Sequence, residues 1–135
     1  MAGEERLDEV RRYLVDLAGV IAAPLSLLPE FGHRPKFEGQ FVELEGEVFS
    51  LAYTERGVES RRKTTTDVDE LNYWVMEGVT FSMATDWEVR HRNDSADFRV
   101  GLFTKQMELL GQLSERWLDR YRNENGRVLK EVGLA

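Results

Sequence analysis

The histidines, serines and clustered acids are the residues of this chain most capable of chemistry, and none falls into a working pattern. His33 and His91 are the only histidines, and there is no cysteine. Zinc favours nitrogen and sulfur ligands, so a zinc site here would need carboxylates for most of its shell. Asp67, Asp69 and Glu70 offer oxygen ligands to a hard cation such as calcium or magnesium. A calcium loop, however, spaces its ligands around a central glycine, and this stretch has none. Capping of a helix N-terminus accounts better for the three acids. No metal and no cofactor is expected.

Nucleophilic and acid–base chemistry are no better supported. Ser50, Ser60, Ser82, Ser95 and Ser114 lie outside any Gly-x-Ser-x-Gly elbow. Triad partners can be distant in sequence, but two histidines leave little room for one. Asp94 and Asp97 are close enough to suggest the paired carboxylates of glycoside hydrolysis. Capping of a helix by Asp94, with Asp97 supporting its first turn, explains them more simply. No glycine-rich loop leads from a strand to a helix, so phosphate binding lacks its usual cradle. The chain does not read as an enzyme.

What remains is surface. Arg56, Arg61, Arg62 and Lys63 make a local basic patch. Such a patch suits phosphate or acids at a protein interface, and it equally suits protection of an edge strand. Trp74, Trp87 and Trp117 sit at core-face helical spacing. Two are expected in the core, and a partly exposed one would anchor an interface.

Composition limits the setting. At 135 residues the chain is expected to be one domain, 1–135. Hydrophobic residues at 41% and charged residues at 32% give enough of each for a soluble core without disulfides. Met1-Ala2-Gly3-Glu4-Glu5 is acidic where a signal peptide would be basic. The longest apolar candidate, Leu14 to Leu28, is interrupted by Asp16 and Pro24, well short of the roughly 20 residues that span a bilayer. A cytoplasmic protein outside the membrane is the expectation. The net charge of −7 repels nucleic acid and attracts basic partners, although the same charge also serves plain solubility.

The elements that position these residues follow from periodicity. Leu7, Val10, Leu14, Leu17 and Ile21 paint one face of a helix over Glu4 to Ile21, stopped by Pro24. Ala23 to Gly39 holds all three prolines and reads as an ordered loop. Phe41, Val42 and Leu44 suit a short strand, Glu45-Gly46 a turn, and Glu47 to Glu55 a strand with Phe49, Leu51 and Tyr53 on one face. Arg56-Gly57 predicts a reversal, and Val58 to Thr66 a polar edge strand. A second helix starts near Asp67, capped by Thr66 or Asp67 with Asp69 or Glu70 completing a capping box. To Arg92 it is either one kinked helix or two, because Gly78 and Val79-Thr80 weaken its middle. Asn93-Asp94-Ser95 then caps a third, long helix from about Ala96 that ends near Asn125-Gly126, where glycine reverses the chain. A last turn covers Arg127 to Glu131. The fold class is α+β: an N-terminal helix, a three-stranded antiparallel meander, and long C-terminal helices packed on one face of the sheet.

Several tags stand in a distinctive order: Glu55-Arg56-Gly57-Val58-Glu59-Ser60-Arg61-Arg62, Thr65-Thr66-Asp67 and Asp69-Glu70-Leu71-Asn72-Tyr73-Trp74-Val75. Val79-Thr80-Phe81-Ser82-Met83-Ala84, Asp97-Phe98-Arg99 and Phe103 to Leu110 follow, with Trp117 beyond them. In order and spacing these tags resemble the immunity protein 63 family of bacterial polymorphic toxin systems. The resemblance runs over roughly residues 24 to 131. It departs at Val100, where a second basic residue would follow Arg99, and at the apolar end Val132-Gly133-Leu134-Ala135.

The resemblance implies a small α+β protein that neutralises a cognate toxin by binding it, without catalysis. If that toxin is a nuclease, its basic groove would suit an acidic inhibitor. The interface is expected on the strand region and the start of the second helix: Arg56, Glu59, Arg62, Asp69, Glu70 and Trp74. A different class of reading is a small-molecule or regulatory binding domain with an apolar pocket between sheet and helices. A third is an enzyme with a metal at Asp67, Asp69 and Glu70.

Overall fold

Leu7, Val10, Leu14, Leu17 and Ile21 recur every three or four residues, and the chain forms one helix there, α1, over Ala2–Val20. Val10, Leu14 and Ala18 on that stripe are buried. The helix ends by a backbone device. Ala22 takes a left-handed φ of 54°, its N–H donates to Gly19 O at 3.3 Å, and the Ala23 N–H donates to Ala18 O at 2.8 Å. These two bonds make a Schellman closure without its usual glycine, and Pro24 behind it prevents continuation.

The structure, a computed structural model, describes residues 2–135. It divides into two units, one ending at Met76 and one from Glu77 to Ala135.

The first unit holds α1 and a sheet. β2 (Gly39–Glu45) pairs antiparallel with β3 (Val48–Glu55), and β3 pairs antiparallel with β4 (Val58–Thr65). A two-residue strand, β1 (Glu30–Phe31), runs parallel to β2, with Glu30 opposite Phe41 and Phe31 opposite Val42. The sheet order is β1-β2-β3-β4. The three-stranded antiparallel meander expected from the sequence is therefore corrected to a four-stranded mixed sheet. Two residues cannot carry a period-two pattern, so β1 is hidden within the proline-bearing loop. β3 is buried on both faces: Phe49 and Leu51 alternate with Ser50, Ala52 and Thr54, all buried.

α2 (Val68–Arg90) is a single helix, its first nine residues in this unit and the rest in the second. Gly78 and Thr80 do not break it. The Thr80 hydroxyl donates to Glu77 O at 3.1 Å within the helix, a local bond that suits a β-branched residue in this setting.

The second unit continues with α3 (Phe98–Leu113), α4 (Glu115–Glu124) and α5 (Gly126–Glu131). The single long third helix expected from the sequence is interrupted at Ser114. Its backbone is extended, at φ −167° and ψ 123°, and its Oγ accepts from the Trp117 N–H. The start is also later than expected: Asp97, not Asp94, caps α3 by accepting from the Arg99 N–H. Asn93 instead closes its own turn, its Oδ1 accepting from Ser95 N at 3.0 Å. Gly126 opens α5 rather than reversing the chain. The left-handed glycine is Gly133, at φ 81°, where Leu134 N donates to Leu129 O and Gly133 N to Lys130 O.

A buried polar chain runs through this unit. Gln106 Nε2 donates to Glu77 O at 3.0 Å and to Thr80 Oγ1 at 3.2 Å, and Tyr121 donates its hydroxyl to Gln106 Oε1 at 2.8 Å. Gln106 is 1% exposed, so these bonds are what makes its burial tolerable.

Candidate functional site

The β3–β4 hairpin turns through two residues, Arg56 at φ 52° and Gly57 at φ 81°. Positive φ at both central positions is the arrangement that matches the twist of the flanking strands. Glycine adopts it freely, whereas arginine does so at a cost. Arg56 thus stands at the exposed tip of the hairpin. The Gly57 N–H donates to Phe37 O at 2.8 Å, which ties the preceding loop to the turn.

One residue of β4 has no partner on β3. Tyr53 lies opposite Arg61 and Thr54 opposite Glu59, which leaves Ser60 as the extra residue of a bulge. The bulge shifts the phase of the strand, so Glu59 and Arg62 share a face with Phe41, Glu43 and Ala52. There Arg62 donates to Glu59 through two nitrogens, at 2.9 and 2.6 Å, and to Glu43 at 2.8 Å. Arg34 from the loop donates to Glu59 at 3.1 Å. Both guanidinium groups sit over the Phe41 ring, at 5.4 Å for Arg34 and 6.0 Å for Arg62. The Arg62 hydrogen bonds hold the Glu59 carboxyl below its ordinary range, with the charges of Arg62 and Arg34 adding to the effect. Arg62 is raised in turn, by its bonds to Glu59 and then Glu43. Two of the six expected contact residues are thus bonded to each other and to the loop.

The other face of β4 is different. Arg61 lies over the Tyr53 ring at 5.1 Å, and the Lys63 Nζ lies over Trp74 at 5.1 Å. Among the described residues, neither these two cations nor Arg56 forms an ion pair. Trp74 is therefore brought to the basic strand, not to Arg62. Trp74 and Trp87 are both partly exposed and only Trp117 is buried, so one tryptophan, not two, belongs to the core. Trp87 stacks on His91 at 4.5 Å.

At the start of α2, Thr65 Oγ1 accepts from Asp67 N at 3.0 Å and Asp67 Oδ1 accepts from Asp69 N at 2.9 Å. Of the two caps the sequence allows, Asp67 is used. Asp69 lines a cleft of about 390 Å³ together with Arg6, Glu9, Tyr13 and Asn72. Glu70 lies beside it in the first turn, partly buried. No group of three or more acids or histidines among the described residues is placed to hold a metal. No helix there is long and apolar enough to cross a membrane.

Arg34, Glu43, Phe41 and Tyr53 were not foreseen as part of this surface. Counting back from the Arg56-Gly57 turn would set Tyr53 opposite Ser60, and only the bulge sets it opposite Arg61. Arg34 lies 25 residues from Glu59, and no local pattern announces it.

A sequence model of one known family, Immunity protein 63, matches residues 45–127, more than half of the chain. The chain belongs to the Immunity protein 63 family. No curated protein and no solved structure matches it. The match is narrower than the 24–131 resemblance read from the sequence. It begins at the end of β2 and includes the whole β3–β4 hairpin, α2, α3 and α4. Arg56, Glu59, Arg62, Asp69, Glu70 and Trp74 all lie within the family segment, whereas Arg34, Phe41 and Glu43 precede it.

Proposed function

We propose that this member of the Immunity protein 63 family neutralises a cognate toxin by binding it directly, one to one and without catalysis, in the cytoplasm, with residues 1–135 acting as one domain. Family membership carries this reading. The β3–β4 hairpin and the start of α2 form the contact surface, and its residues divide into two kinds. Arg56 and Trp74 face the toxin, with Asp69 and Glu70 at the adjoining helix start. Glu59 ties the hairpin to the loop through Arg34 and Arg62 ties it to β2 through Glu43, and so the two position the surface. A nuclease is one toxin chemistry that a net charge of −7 suits, since an acidic inhibitor gains a steered association rate towards a basic groove.

The test is co-expression with the toxin encoded beside this gene, followed by size-exclusion chromatography of the purified pair. Survival together with a stable one-to-one complex is the expected result. Cell death with no association of the two proteins would sink the proposal, and protection without association would point to an indirect mechanism.

A further inference from the structure

We infer that the outer edge of β4 is the docking line for an acidic, extended segment of the partner, held by Arg56, Arg61 and Lys63. This rests on the toxin-binding reading above and adds the chemistry of what the toxin presents.

The first observation is topological. β4 is an edge strand of eight residues paired only with β3, so its outward amides and carbonyls meet no other strand. The opposite edge, β1, is two residues long and offers no comparable line. A strand edge of this length is what an incoming peptide uses to extend a sheet.

The second observation is the asymmetry of charge. On one face of β4 the cation Arg62 is matched by Glu59 and Glu43. On the other, Arg61 and Lys63 rest on Tyr53 and Trp74 and, among the described residues, have no carboxylate partner. In a chain with 25 acidic and 18 basic residues, three cations left over at one edge are not explained by scarcity of acids. Contact with the rings limits the freedom of the two long side chains, so less ordering is left for a partner to impose.

The third is conformational. Arg56 holds a left-handed φ of 52° at a turn position where asparagine or glycine would be at ease. Its charge extends the line of Arg61 and Lys63 beyond the end of the strand. A local rule broken at an exposed position is where a binding role is to be sought.

The same charges argue against two other occupants. A second copy of β4 would set Arg61 and Lys63 against their own counterparts, and like charges across strands are unfavourable. A nucleic acid would meet the cations and rings favourably, but it brings a phosphate at every step towards a chain of net charge −7, whereas a short acidic segment brings only the few charges that the three cations match.

The experiment uses the full chain and the toxin domain encoded beside its gene. The double variant R61E/K63E is compared with wild type and with R127E/K130E, which makes the same charge change on α5. Calorimetry at low and physiological salt gives affinity, and amide hydrogen exchange gives protection along Val58–Thr65. R61E/K63E is expected to weaken binding by at least about tenfold, R127E/K130E by far less, and the β4 amides are expected to gain protection in the complex. Unchanged affinity of R61E/K63E, or no added protection at β4 in a complex that does form, overturns the inference and leaves toxin binding standing. Failure of the wild type to bind overturns both. Protection of β4 in a self-dimer, or retention of a single-stranded oligonucleotide at physiological salt, would assign the edge to that occupant instead.

Discussion

Arg62 donates to both carboxylate oxygens of Glu59, at 2.9 and 2.6 Å, although the two residues are three apart on one strand. On a regular strand that spacing points side chains to opposite faces. The unmatched Ser60 between Glu59 and Arg61 restores them to one face. The ion pair is thus a product of the bulge, and it carries Arg34 with it, bringing the loop after β1 over Phe41. Phe41 is 0% exposed. Its cover on that side includes two guanidinium groups, so packing and ion pairing here are one interaction and not two.

Glu59→Gln should therefore lower the melting temperature at neutral pH by a few degrees and flatten its decline in acid. The folded-state value of Glu59 lies below the ordinary one, so the unfolded chain takes up the proton first. Its contribution is complete above the ordinary carboxylate pKa near about 4.3 and is lost as pH falls through the depressed folded value. Glu88, held low by its bonds to Arg92, and Asp97, held low by its bonds to Arg99, have the same sign. Thermal melts across pH 3–7, an interval set by roughly the carboxylate range, should accordingly show a reduced acid slope in the variant. An unchanged slope would remove Glu59 from the account. High salt should shrink the difference, because the pair is partly exposed.

Arg56→Asn separates turn geometry from charge. Asparagine tolerates the left-handed conformation, and Asn-Gly is the favoured pair for this turn, so the variant should gain up to about 1 kcal/mol in denaturant unfolding. If Arg56 contacts the partner, the same variant should bind the toxin more weakly despite being more stable. A gain in stability with unchanged affinity would leave Arg56 as a tolerated strain.

The parts of the fold visible in the sequence were those with a local cause. The stripe on α1, the Arg56-Gly57 reversal and the acids opening α2 each depend on neighbours within a few residues. β1 was invisible because its pairing with Phe41 and Val42 is non-local and only two residues long. The break at Ser114 was masked because Leu110, Leu113, Trp117 and Tyr121 keep helical spacing across it, and periodicity does not register a capped interruption. At the surface, the residue types of the basic strand were legible. The bulge that decides which cations face Glu59 and which face the rings was not, because nothing in Glu59-Ser60-Arg61 distinguishes it from a regular strand.

Thr54 offers a test of that buried strand. It is 0% exposed, and among the described residues its Oγ1 has no hydrogen-bond partner. Valine has nearly the same shape and is at home in strands, so Thr54→Val removes an uncompensated hydroxyl without opening a cavity. The variant should be stabilised by about 1 kcal/mol, read from the urea midpoint at unchanged slope. A loss of stability would show that the hydroxyl is satisfied in solution.

Ser114 should behave as a cap and nothing more. Its Oγ accepts from Trp117 N at 3.2 Å, and Ser114→Ala should cost about 1 kcal/mol. Ser114→Asp, which keeps an acceptor at the cap, should recover most of that loss. Failure of aspartate to rescue would mean that the break between α3 and α4 is held by packing, with the serine incidental.

Tyr121 gives the alkaline counterpart. Burial, with the negative charge of Glu77 adding, pushes its hydroxyl up to about 12, and the proton it keeps is the one donated to Gln106 Oε1 at 2.8 Å. The unfolded chain loses that proton first, near about pH 10, so the contribution is intact below that value and is lost as pH rises towards the folded one. Wild-type stability should fall in this window. Tyr121→Phe leaves the Gln106 oxygen unmet in a site 1% exposed, which should cost about 1–3 kcal/mol at neutral pH, and it should remove this residue's share of the alkaline decline. Gln106→Leu should restore part of the loss in the Tyr121→Phe background, because an apolar pair needs no donor. If the double variant is as unstable as the sum of the singles, the two side chains are not coupled through that bond.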